Sequence, residues 1–267
     1  MRIVVCLKQV PDTTDVKLDP VTHHLIREGT VSIANPFDLH ALTEAVRLKR
    51  EIGAQVTVVS MGPPQAKTAL QKAISLGADE AILLTDRVFS GSDTLATSYI
   101  ICQALKKLAP DLILCGKQAI DGDTAQVGPG IATRMGMPML SYVSKIKEVD
   151  QEKKTIIVER KLEEGVETVS STFPLLLTIV SEINDVLYAN LPDLMRSISF
   201  EPQVWTKDDL AIDLNSVGLK GSPTSVAKIF APAMRGAGRV MSGTEENILE
   251  VSSEILKAVK TETMRCG

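Results

Sequence analysis

The chain has 267 residues, 44% of them apolar but only 3% aromatic, with a formal net charge of −4. That length allows one large core plus an appendage, built from Val, Ile, Leu and Ala rather than from rings. The charge argues against general nucleic-acid binding, which needs a basic footprint, and the absence of any run of about 18 apolar residues argues against a membrane span.

Arg2 to Leu7 is an apolar first strand. It enters directly from Met1, without signal-peptide architecture. Pro11-Asp12-Thr13-Thr14-Asp15 turns the chain away. A dinucleotide fold of the G-x-G-x-x-G kind would show its glycines here, and they are missing. A polar, hairpin-like excursion follows through Asp19-Pro20 and Glu28-Gly29, with His23-His24 on a solvated loop. Asn35-Pro36-Phe37-Asp38 opens a helix: Asn35 suits N-cap, Pro36 the first position, Asp38 the first turn. Gly53 closes it.

Gln55 to Ser60 is a second strand, and Met61-Gly62-Pro63-Pro64 leads into a helix from Gln65 to Leu76. Glu80 to Leu84 is a third strand. Ser92 or Asp93 caps a helix running to Leu108, and Asp111 to Cys115 is a fourth strand. Strands alternating with helices at this rhythm imply a parallel sheet with right-handed crossovers.

After Cys115 comes the stretch that carries the functional reading: Gly116-Lys117-Gln118-Ala119-Ile120-Asp121-Gly122-Asp123-Thr124-Ala125-Gln126-Val127. It joins a strand end to a helix start, where nucleotides bind in open α/β sheets. Free N–H groups and the positive helix end suit phosphate, and Gly116 and Gly122 allow close approach of a ligand. Asp123 and Thr124 read as caps. An ordinary βα loop with good caps would look the same. Pro129 is too deep for a helix that starts at Thr124, so either the first turn is distorted or the regular helix starts near Gly128.

Ser144 to Val149, Thr155 to Lys161 and Val166 to Thr172 alternate as an antiparallel meander, and Leu175 to Val180 returns to the core. Its Lys/Glu-rich residues read as a solvated face. Pro192 to Ser199 is a short helix candidate. Ser222 to Val240 has no clear period and reads as an arm or linker. A last helix from Ser242 to about Thr261 opens on the capping box Ser242/Glu245 and carries the stripe Ile248, Val251, Ile255, Val259. The cysteines Cys6, Cys102, Cys115 and Cys266 form no C-x-x-C pair, and buried thiols in a reducing cytoplasm are expected. The three histidines lack metal-site spacing.

Three motifs resemble the beta subunit of electron transfer flavoproteins: Asn35-Pro36-Phe37 with the helix after it, Gly116 to Asp121, and Val158-Glu159-Arg160-Lys161-Leu162-Glu163-Glu164-Gly165 running on to Phe173-Pro174. Tyr188-Ala189-Asn190-Leu191-Pro192 is similar to the family's loop that docks partner dehydrogenases. The resemblance runs from Met1 to about Asp213. It implies a doubly wound, mostly parallel α/β domain of the adenine-nucleotide-binding type over residues 1–185, with an antiparallel meander. Residues 186–267 would then hold the docking loop and an extended C-terminal arm that embraces an alpha subunit.

The resemblance further implies a nucleotide site at Cys6, Asn35, Pro36, Phe37, Asp38, Met61 and Gly116 through Val127, with Leu191 as the docking residue and no side chain that must act as acid or base. The run Asp121 to Pro129 looks like the family's electron-bifurcating branch, which holds FAD where other members hold AMP. Thr13 stands where some non-bifurcating members carry an aromatic. NADH would then reduce the FAD of this subunit. One electron would pass to the alpha-subunit FAD and an acyl-CoA or other flavin dehydrogenase, the other to ferredoxin or flavodoxin, all in the cytoplasm. The alternatives are a conventional electron carrier with structural AMP and a stand-alone ATP/AMP-binding module.

Overall fold

The computed structural model describes residues 1–12, 32–225, 243–244 and 247–263, with side chains to 257 in the last stretch. Two compact units divide the chain, Met1–Ile229 and Phe230–Gly267.

The first unit is built on strands β1 (Arg2–Cys6), β4 (Gln55–Met61), β5 (Glu80–Leu84), β6 (Leu112–Gly116) and β10 (Leu175–Ile179). Helices α1 (Pro36–Ile52), α2 (Lys67–Ser75), α3 (Thr94–Leu108) and α4 (Val127–Met135) connect them, and β7 (Met139–Asp150), β8 (Thr155–Lys161), β9 (Val166–Thr172) and β11 (Gln203–Trp205) extend the sheet. The nine strands run in the order β11-β5-β4-β1-β6-β10-β7-β8-β9. The pairs from β11 to β7 are parallel, and β7-β8-β9 are antiparallel. This is the doubly wound, mostly parallel sheet with a meander. A separate pair, β2 (Gln9–Pro11) with β3 (Ser32–Ala34), is antiparallel and supports the hairpin-like excursion at its base. Residues 13–31, with Thr13, His23 and His24 among them, lie outside the described residues.

The alternation within β1 explains the two-sided core. Ile3 and Val5 join one apolar cluster with Leu42 and Val46 of α1 and Leu70 and Ile74 of α2. Val4 and Cys6 join a second with Ile100 and Leu105 of α3 and Ile131 of α4. β6 repeats the pattern, Leu112 and Leu114 on the first side, Ile113 and Cys115 on the second. Each fully buried Val, Leu or Ile contributes roughly 1.5–3 kcal/mol. That outweighs the differences of about 1 kcal/mol or less in local propensity.

The chain winds from β1 through β4 to β5, and α3 then carries it back across to β6 on the other side of β1. Strand order therefore reverses between β1 and β6. That reversal opens a crevice at the carboxyl ends of the two strands.

Three local features differ from, or add to, the reading of the sequence. β7 starts at Met139 rather than Ser144, because Met139, Leu140 and Val143 pair with β10 before the strand turns to β8. β11 was not legible: it is three residues long, and its order comes from pairing with β5 and from the Lys107 ammonium 4.2 Å over the Trp205 ring. The short helix α5 spans Leu191–Ile198, and Asn190 caps it by accepting from the Asp193 N–H. In the second unit α6 spans Ile248–Thr263, and the Asn247 carbonyl accepts the Val251 N–H at its start. The capping box Ser242/Glu245, the stretch 226–242 of the arm, Val259's side chain and Cys266 lie outside the described residues. Among the described residues no helix is long and apolar enough to cross a membrane.

Candidate functional site

The crevice between β1 and β6 collects most of the residues singled out in the sequence. Cys6 ends β1, Gly116 ends β6, Met61 ends β4, and Asn35 to Asp38 form the start of α1. Cys6 and Cys115 are direct neighbours across the two strands. Both are buried free thiols. A hydrogen bond to Cys6, and burial, push the Cys115 thiol well above its usual range.

Asn35 is the N-cap residue of α1 by position, and Pro36 follows in the first turn, yet the Asn35 side chain caps nothing in its helix. It reaches the loop after β6 instead. Its Oδ1 accepts the Ile120 N–H at 3.2 Å, and its Nδ2 donates to the Gln118 carbonyl at 2.9 Å. Asp38, 6% exposed, spans the crevice floor. One oxygen accepts the Lys8 N–H at 2.8 Å and the other the Gly116 N–H at 3.0 Å. Burial pushes its pKa up to about 7, although these N–H groups and Asn35 pull the other way.

Gly116 has a different role from the one expected. A Cβ there would lie 2.5 Å from Asp38 Oδ1 and 2.7 Å from Phe37, so this glycine admits helix α1 rather than a ligand. At Gly122, by contrast, a Cβ would meet nothing within 4 Å.

The caps expected at Asp123 and Thr124 are not made. Helix α4 begins at Val127, after Gln126, so Pro129 falls in its first turn, where a missing N–H costs nothing. Asp123 Oδ1 accepts from Gln118 Nε2 at 2.9 Å instead. Asp123 and Ala125 both adopt left-handed backbone, at φ 48° and 54°. Among the described residues nothing accepts from the N–H groups of Thr124, Ala125, Gln126, Val127 or Gly128. A row of free N–H groups turned by left-handed residues at a helix start suits an anion such as a phosphate. Lys117 lies with its ammonium 5.0 Å over the Phe37 ring, so both border the same edge. Ala119 and Ile120 form the half-buried stem of the loop.

Sequence reasoning missed Lys8. Its ammonium grips both oxygens of Asp121 at 2.7 Å, bridging the chain beyond β1 to the loop beyond β6. The signal was available: Lys8 is the first polar side chain after the first apolar strand, beside the strand-order reversal. A surface hollow of about 410 Å³ lined by Tyr99, Arg134 and Lys220 lies outside α3 and α4, away from the crevice. Its cations are already engaged, Arg134 over the Tyr99 ring and Lys220 on Asn215.

Leu191 is 68% exposed, and Leu194, Met195 and Ile198 on the same helix are exposed with it. The polar side chains of α5 hold it down. Arg196 donates to the Ala78 carbonyl, Asp193 packs by Gly77, and Ser197 is buried. The helix thus turns its apolar side outward.

The electron transfer flavoprotein domain family matches residues 22–210. An electron transfer flavoprotein subunit beta of Clostridium acetobutylicum is 48% identical over 98% of this chain and 99% of its own. The protein FixA of Azotobacter vinelandii is 50% identical over 88% of this chain and 85% of its own. A subunit of the caffeyl-CoA reductase–Etf complex of Acetobacterium woodii, CarD, is 45% identical over 97% of this chain and 98% of its own.

Proposed function

The chain belongs to the electron transfer flavoprotein family, as a beta subunit, and on that premise we propose that its crevice holds FAD and serves NADH-driven electron bifurcation. The observation that carries this reading is the loop from Asp121 to Gly128. It combines free N–H groups at a helix start with open space at Gly122. The N–H groups suit a pyrophosphate, and the open space leaves room for more than a mononucleotide. Asn35 and Asp38 hold the crevice walls, Lys8 ties down Asp121, and Lys117 supplies positive charge beside them. Bound FAD would supply two-electron acceptance and one-electron release; the protein supplies position and electrostatics.

The partners follow from the same reading. An alpha subunit completes the carrier, and ferredoxin or flavodoxin takes one electron in the cytoplasm. A CoA-thioester flavin dehydrogenase takes the other, docking on the exposed face of α5 at Leu191. The relative in a caffeyl-CoA reductase complex supports a partner of that kind. The described arm residues Ser222 and Thr224 bond to Asp93 at the start of α3. In this reading the rest of the arm engages the alpha subunit.

A second reading, structural AMP in the same crevice of a conventional carrier, draws on the same N–H groups. Nucleotide extraction from the purified heterodimer separates the two. Two FAD per heterodimer supports bifurcation; one FAD with one AMP overturns it in favour of the conventional carrier.

A further inference from the structure

Among the described residues Asp38 is the one acidic side chain buried at the crevice floor, and nothing in its chemistry requires it to touch a ligand. Its two oxygens are used by two backbone N–H groups, one from Lys8 just past β1 and one from Gly116 at the end of β6. The carboxylate therefore joins three elements: the first turn of α1 and the two strand ends that flank the crevice. Asn35, three residues earlier, ties the same turn to Gln118 and Ile120. The Lys8 ammonium is engaged elsewhere, on Asp121.

A neutral side chain does not reproduce this pattern. An amide has one accepting oxygen, and its NH₂ group would face the second N–H donor. A protonated carboxyl is a poorer match as well, because its hydroxyl oxygen carries hydrogen and accepts only weakly. The ionised carboxylate accepts fully from both sides at once, and such charge-assisted bonds are the stronger kind.

We propose that Asp38 is a positioning residue whose ionised carboxylate fixes the spacing of the two strand ends, so that the crevice holds its nucleotide tightly only in that form. The proposal rests on the reading of the crevice as a nucleotide site. The groups that face Asp38 are Lys8 beyond β1, Cys115 with its neighbour Cys6, and Asn35 on its own element. Lys117 follows Gly116 in sequence and holds its ammonium over the Phe37 ring. With its pKa pushed up to about 7, Asp38 loses its charge as pH falls through neutrality. If only the ionised form is competent, apparent affinity is divided by the competent fraction and falls about tenfold by about pH 6.

The test uses the complete heterodimer, stripped of loosely held nucleotide and titrated with FAD and with AMP at about pH 6 and about pH 8.5. Wild type should bind about tenfold more weakly at the lower pH. Asp38→Asn should bind weakly at both, with only the slope that the ligand's own phosphate contributes, and should retain its alpha-subunit flavin. An Asn variant with wild-type affinity, or with the wild-type slope, overturns the proposal. Should that variant fail to fold, the wild-type slope with FAD decides alone, since a pyrophosphate diester has no second ionisation in this range; a flat profile overturns it. A wild-type heterodimer that binds neither FAD nor AMP at either pH overturns the nucleotide reading itself, and this proposal with it.

Discussion

Gly116 and Asp38 share a contact that leaves no room for a methyl group. The Gly116 N–H donates to Asp38 Oδ1 at 3.0 Å, and a Cβ on Gly116 would lie 2.5 Å from that same oxygen. Helix α1 thus packs directly on the end of β6, and the crevice is as narrow as that packing makes it. Gly116→Ala forces either the first turn of α1 or the strand end to move. Such overpacking costs about 1–3 kcal/mol. The heterodimer should melt several degrees lower and yield less crevice nucleotide on extraction. An unchanged melting temperature would show that α1 can retreat freely, and that Asp38 is not held in place.

Asp38 also makes a prediction about stability against pH. Its folded pKa is raised from 3.8 to about 7, so between those values the folded chain holds a proton that the unfolded chain releases. Stability contributed by this group is therefore intact below about pH 4 and is lost as pH rises to about 7, then stays constant. The full span corresponds to about 4 kcal/mol. Asp38→Asn removes this titration. Measured by denaturant melts, the variant should gain on wild type steadily from about pH 5 to about pH 7, and hold its relative position above that. A constant difference across that range would mean the carboxylate is ionised throughout.

The alternation of strands and helices was legible because the fully buried runs Ile3 to Val5 and Leu112 to Leu114 leave no other placement. Pro36 and Gly53 marked the ends of α1 by backbone chemistry alone. What stayed hidden was tertiary choice. Asn35 was read as a cap because local capping is the common use of that residue. The nearby loop at Gln118 and Ile120 offered its side chain better partners across the crevice. Gly116 was read as ligand space because the sequence cannot show that Phe37 and Asp38 already fill it. Lys8 went unnoticed because its role depends on Asp121, 113 residues away in sequence.

Gly122 supplies the contrast to Gly116. With no heavy atom within 4 Å of a Cβ there, a side chain at this position has no protein neighbour to displace. Gly122→Leu should therefore leave the folding stability of nucleotide-free heterodimer within about 0.5 kcal/mol of wild type. Its leucine would project beside the free N–H groups of residues 124–128, where the nucleotide is proposed to lie. Extraction should show the crevice nucleotide depleted and the alpha-subunit flavin retained. Full occupancy of both sites would place the ligand away from this loop.

Helix α5 carries the last prediction. Leu191, Leu194, Met195 and Ile198 recur at helical spacing, which puts them on one side, and all four are exposed, Ile198 by 74%. A surface helix ordinarily buries such a stripe. Here the buried contacts are polar instead: Ser197 is covered, and Arg196 reaches the Ala78 carbonyl. A leucine that is 68% exposed has little transfer energy to lose. Leu191→Ala should therefore change folding stability by no more than about 0.5 kcal/mol. An apolar anchor in a small interface behaves differently, since its truncation commonly costs about 2 kcal/mol or more. That corresponds to about a thirtyfold loss of affinity. The variant should accordingly reduce the proposed dehydrogenase partner with a much higher half-saturating concentration, while its flavin content and melting temperature match wild type. Ile198→Ala, about two turns further along the same face, should show the same pattern if the whole stripe is the docking surface. Normal partner reduction by both variants would mean that the dehydrogenase docks elsewhere than on α5.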